Sequence, residues 1–150
     1  MIRDTILLVE DNPDDEELTI RTLKKNKITN PIVVARDGAE ALDYLFCRGQ
    51  YADKDPDEMP VLVMLDIKMP GVGGLDVLKQ IRSNKTTKVL PVVILTSSDE
   101  EEHLFESYRL GVNSYVRKPV SFGQFQSAVK QLAVYWLLLN ESPHGLGRCG

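Results

Sequence analysis

Residues 61–71 read VLVMLDIKMPG. Five apolar residues run without a break into Asp66, and Pro70-Gly71 then supplies a turn signal. An unbroken apolar run marks a strand buried on both faces, since a strand with one wet face alternates apolar with polar. Residues 6–9, 32–35 and 92–95 have the same character, as do residues 112–116, although Asn113 and Ser114 interrupt them. The stretches between these runs carry helical spacing. Strand alternating with helix builds an α/β domain, a parallel sheet with helices on both faces.

The helix starts are written in local chemistry. Asn12 is placed to cap a first helix with Pro13 at its first position and Asp14, Asp15 and Glu16 in the first turn, where the helix dipole favours negative charge. Ile20 and Leu23 then face the core. Asp37 and Glu40 have capping-box spacing for a second helix that buries Ala41, Leu42 and Leu45 and ends near Gly49. Residues 50–60 are polar and acidic with two prolines, which predicts a surface loop longer than most connections of its kind. Leu75, Leu78 and Ile81 form the buried stripe of a third helix, and Ser98 with Glu101 caps a fourth. Ser121 and Gln124 box the start of the last, stapled by Val120 and Phe125, with Phe122, Phe125, Val129, Leu132 and Trp136 as its core stripe.

Composition excludes several classes. The chain has 150 residues and a formal net charge of -4, with no cluster of Lys and Arg for displacing counterions from a nucleic acid. Cys47 and Cys149 fit neither a disulfide framework nor a metal spacing, and His103 and His144 lie far from them and from each other. The apolar run near the N-terminus is too short for a signal-peptide core, and the longest run, residues 132–139, is well below the ~18 residues of a membrane span. The expectation is a cytoplasmic protein with one domain over residues 1–141 and a mobile tail over residues 142–150.

In open α/β sheets ligands bind outside the carboxyl ends of the strands. Here those ends carry Glu10-Asp11, Asp66, Thr96-Ser97 and Lys118-Pro119. Three carboxylates in one pocket repel one another unless a cation joins them, and Mg2+ suits such oxygen ligands. A carboxylate can attack a phosphoryl group when the developing charge is neutralised. Taken singly, each residue has an ordinary explanation: Asp66 as a turn former, Glu10 and Asp11 as helix-start acids, Thr96 as a cap, Lys118 as a solvated charge and Tyr115 as a core aromatic.

Taken together, LVEDNP at 8–13, LDIKMPG at 65–71, ILTSS at 94–98 and YVRKP at 115–119 resemble the receiver domain of two-component response regulators. The long loop at 51–60 and the long final helix are similar to the single-domain regulators that partner phytochrome histidine kinases. The resemblance implies Asp66 as phosphoacceptor, Glu10 and Asp11 as cation-binding acids, and the Lys68 carbonyl as a further ligand. It implies that Thr96 hydrogen-bonds the phosphoryl group, that Lys118 pairs with it ahead of a cis bond to Pro119, and that Tyr115 is the aromatic switch. Glu10 stands where many receivers carry Asp, and Lys68 and Ser98 occupy positions that influence the lifetime of the phosphoryl group in the family.

The resulting expectation is a five-stranded doubly wound parallel sheet of flavodoxin-like (CheY-like) order 2-1-3-4-5. Its function would be a Mg2+-dependent phosphorylation switch, a signalling phosphoprotein rather than an enzyme acting on an external substrate. A sensor histidine kinase of the phytochrome class would be the donor, and the face of the fourth helix, fifth strand and last helix would respond. Since residues 133–139 are apolar all round, Val134, Leu137 and Leu138 with that face suggest a homodimer. An Asp-nucleophile phosphatase or mutase resembles a D-x-D pattern after the first strand, which is missing here. A flavodoxin-like cofactor carrier would need a phosphate loop there, also missing.

Overall fold

The computed structural model describes residues 5–25, 28–67, 69, 71–96, 109, 111 and 114–117. The elements run β1 (Ile6–Val9), α1 (Pro13–Lys25), β2 (Ile32–Ala35), α2 (Gly38–Leu45), a 3-10 turn (Gly49–Tyr51), β3 (Leu62–Leu65), α3 (Gly74–Ser83), β4 (Val92–Thr96) and β5 (Ser114–Arg117). The sheet is wholly parallel with the expected order β2-β1-β3-β4-β5. The third strand starts one residue later than the sequence reading, and the fourth ends one residue later, at Thr96. The fifth is shifted to Ser114–Arg117. The expected caps and stripes of the fourth and last helices, the Val134, Leu137 and Leu138 surface and the tail lie outside the described residues.

Alternation along each strand divides the core into two layers. Leu7, Val9, Val63, Leu65, Val92 and Ile94 pack with Ala41, Leu42 and Leu45 of α2 and with Val77, Leu78 and Ile81 of α3. Ile6, Leu8, Leu62, Met64, Val93 and Leu95 pack on the other face with Leu23 and, at the margin, Ile20 of α1. Full burial of a side chain of this size is worth about 1.5–3 kcal/mol, so these continuous runs specify a sheet covered on both sides. On α3 the stripe includes Val77, and Leu75 is only partly buried at its edge. Among the described residues no helix is long and apolar enough to cross a membrane.

The caps form largely as read. Asn12 Oδ1 accepts from the backbone N–H groups of Asp14 (2.8 Å) and Asp15 (3.1 Å). Asp37 Oδ1 accepts from Glu40 N–H at 2.7 Å. Glu40 reaches one residue further back than a capping box requires and accepts from Arg36 N–H at 3.0 Å. Its second oxygen accepts from the Tyr51 hydroxyl at 3.1 Å, which pins the start of the long loop to α2. Tyr51 also meets Tyr44 edge to face at 5.1 Å, and the Lys54 ammonium lies 4.8 Å from the Tyr44 ring centre. Burial raises the pKa of both tyrosines, with Glu40 reinforcing the shift at Tyr51 and Glu58 at Tyr44.

The second helix stops at Leu45, earlier than the Gly49 that the sequence suggested. Cys47 takes the left-handed conformation (φ 54°) and Arg48 N–H donates to the Asp43 carbonyl at 2.9 Å, a Schellman closure with cysteine in glycine's usual place. Arg82 is a second feature that sequence reading missed. Its guanidinium donates to the carbonyls of Lys88 (3.1 Å), Leu90 (2.8 Å) and Gly111 (3.2 and 2.7 Å), joining the end of α3 to the approach to β4 and the turn before β5. Burial lowers its pKa. Since hydrogen bonds from a charged donor contribute about 1.5–3 kcal/mol, Arg82→Ala should destabilise the fold by about 2 kcal/mol in urea denaturation. An unchanged midpoint would show that this clamp contributes nothing.

Candidate metal centre at the carboxyl edge of the sheet

Parallel register aligns the strand ends. Val9 is level with Ala35 on one side and Leu65 on the other. The ladder continues one residue past each strand, with Glu10 N–H donating to the Ala35 carbonyl and Asp66 N–H to the Val9 carbonyl, both at 3.0 Å. The first residues beyond β1 and β3 are thereby fixed side by side, and both are acids. One carboxylate oxygen from each of Glu10, Asp11 and Asp66 lies within 4.8 Å of the others. Glu10 is 1% and Asp66 7% exposed, whereas Asp11 opens to solvent.

The surrounding chain holds these acids in place. Glu10 Oε2 accepts from Asn12 N–H at 3.3 Å, in the same turn that starts α1. Ile67 and Met69 are buried in the α2–α3 layer and anchor the segment after Asp66. Gly74 N–H donates to the Ile67 carbonyl at 3.1 Å and closes that loop. A Cβ on Gly74 would stand 2.3 Å from the Asp66 carbonyl oxygen and 2.6 Å from Ile67 Cα, so only glycine lets α3 begin directly behind Asp66. The Gly73-Gly74 pair ahead of an apolar stripe was the one sequence signal for this approach.

Of the other predicted residues, Thr96 ends β4 two positions beyond Ile94, the partner of Leu65, so its backbone reaches the same edge. Tyr115 pairs with Ile94 in the sheet. The side chains of Thr96 and Tyr115, and all of Lys68 and Lys118, lie outside the described residues. The three acids alone fit a hard cation. Three carboxylates brought together form an oxygen donor set of the kind that suits Mg2+, Mn2+ or Ca2+.

The profile of the response regulator receiver domain matches residues 6–130, and the chain belongs to that family. Its structural neighbours include the bacteriophytochrome response regulator AtBRR, 51% identical, with a TM-score of 0.75 over 91% of this chain and 96% of that one. The phosphorylated cyanobacterial phytochrome response regulator RcpA is 38% identical, with a TM-score of 0.79 over 90% and 94% of the two chains. Response regulator Rcp1 of Synechocystis sp. is 35% identical over 88% of both sequences. Its Mn2+-bound structure aligns with a TM-score of 0.79 and 34% identity, covering 89% and 94% of the two chains. This chain is thus a response regulator receiver related to those of phytochrome systems.

Crowded carboxylates have a measurable cost. Without divalent cations, Asp66→Asn keeps the shape of the side chain while removing one charge, and should stabilise the fold by on the order of 1 kcal/mol at low ionic strength. Urea denaturation in chelator checks this, and a less stable variant would mean that the three charges are already compensated within the chain.

Proposed function

We propose that the chain is a Mg2+-dependent phosphorylation switch whose acceptor is Asp66. The observation that carries this reading is the meeting of Glu10, Asp11 and Asp66 within 4.8 Å at the ends of adjacent strands. The Asp66 carboxylate attacks the phosphorus of a kinase phosphohistidine; an O–P bond forms as the N–P bond breaks, and the imidazole nitrogen leaves with the electron pair. Glu10, Asp11, Asp66 and the Lys68 carbonyl would hold the cation. Bound Mg2+ supplies positive charge against the phosphoryl oxygens. The Thr96 hydroxyl donates a hydrogen bond to the phosphoryl group and Lys118 pairs with it.

Phosphorylation adds negative charge at a buried strand end, which draws Thr96 and Lys118 toward Asp66 and Tyr115 inward behind Thr96. The face of the fourth helix, fifth strand and last helix changes with them. Relatedness to phytochrome response regulators supports a phytochrome-class histidine kinase as donor in the cytoplasm, and the apolar sequence of residues 133–139 supports a homodimer through that face with Val134, Leu137 and Leu138. The only reactions the chain catalyses are its own phosphorylation and dephosphorylation.

Incubation with acetyl phosphate and Mg2+, followed by intact mass measurement, tests this. One phosphoryl adduct is expected on the wild type, and none on Asp66→Asn or with chelator present. An adduct that persists in Asp66→Asn would place the acceptor elsewhere, and no adduct even with a histidine kinase supplied would sink the switch.

A further inference from the structure

The loop after Asp66 rests on the start of α2 through a contact with no space for a side chain. A Cβ on Gly38 would stand 2.2 Å from the Val72 carbonyl oxygen and 3.0 Å from Val72 Cβ. Ordinary non-bonded contacts between such atoms are well over 3 Å, so a side chain at residue 38 forces one partner to move. The helix end resists movement, because the Asp37 carboxylate accepts from Glu40 N–H and the Glu40 carboxylate accepts from Arg36 N–H. The loop yields more easily. It holds Gly71 at φ 74°, and Val72 is only partly buried.

Displacement of Val72 does not stay local. Its loop is closed by the bond from Gly74 N–H to the Ile67 carbonyl, and Gly74 abuts the Asp66 carbonyl oxygen. Asp66 is one of the three clustered acids. We propose that Gly38 is a positioning residue for the cation site: by carrying no side chain it seats residues 71–73 and, through them, fixes the carboxylate of Asp66 against Glu10 and Asp11. The three atoms nearest to a Cβ at residue 38 all belong to Val72. The inference rests on the reading above that the three acids hold a divalent cation.

The test is Mn2+ binding to the full chain, read from loss of the free-ion electron paramagnetic resonance signal, with melting temperature measured in parallel. Helix propensity alone favours Ala over Gly, so a tolerated Gly38→Ala would be neutral or stabilising. Seating predicts instead that Gly38→Ala weakens Mn2+ affinity by about tenfold or more, the usual scale for residues that support metal ligands. Ile81→Val, a core change two helical turns into α3, should lower the melting temperature and leave Mn2+ affinity within about twofold of wild type. Should Gly38→Ala not fold, Val72→Gly loosens the same contact without adding bulk, and a several-fold loss of affinity is expected there. Wild-type affinity in folded Gly38→Ala, or in Val72→Gly if it alone folds, overturns the seating role, as does an equal loss in Ile81→Val. Failure of the wild type itself to bind Mn2+ would instead overturn the cation-site reading on which the proposal depends.

Discussion

Mutual repulsion of carboxylates is the constraint around which the described structure is arranged. At an effective dielectric of ~20 and a separation of ~5 Å, two like charges oppose each other by about 3 kcal/mol, and here Glu10 and Asp66 are both nearly withdrawn from water. Such a cluster persists only if the backbone beneath it is rigid. The ladder bonds from Glu10 to Ala35 and from Asp66 to Val9 extend the parallel sheet under both acids, and continuous apolar strands keep that sheet buried on both faces. Stability from the core thereby holds in place an edge on which three carboxylates are crowded.

The helices complete the arrangement at their starts. Asn12 caps α1 while its own N–H meets Glu10, so the turn that begins the helix also restrains the first acid. Gly74 brings the start of α3 against the Asp66 backbone, and buried Ile67 and Met69 fasten the intervening loop into the α2–α3 layer. Strand ends and helix starts therefore meet around one site, which is the general location of ligand binding in doubly wound sheets. Under the proposed function, a cation bound there would relieve the repulsion, and a phosphoryl group could then be added where negative charge alone would be refused.

Much of this was legible because it is local. Runs of Val, Ile and Leu fixed the strands within a residue or two, and side-chain caps at Asn12 and Asp37 marked where α1 and α2 begin. The motifs after the first and third strands gave the acids of the site. What sequence reading missed depends on distance in the chain or on an exception to habit. Gly49 suggested the end of α2, but Cys47 adopts the left-handed conformation first. Arg82 finds carbonyls as far away as Gly111, and Glu40 divides its oxygens between a helix cap and Tyr51, partners that no spacing rule names. The close approaches at Gly38 and Gly74 belong to tertiary packing and leave no periodic trace.

The central claim, that Glu10, Asp11 and Asp66 act together as one cation site, is tested most directly by following backbone amide resonances of the full chain during titration with Mg2+. Shifts concentrated at residues 9–13 and 65–67 and described by a single binding constant are the expected result. Shifts that spread instead over the acidic loop at residues 53–58, or no saturable shifts at all, would contradict it.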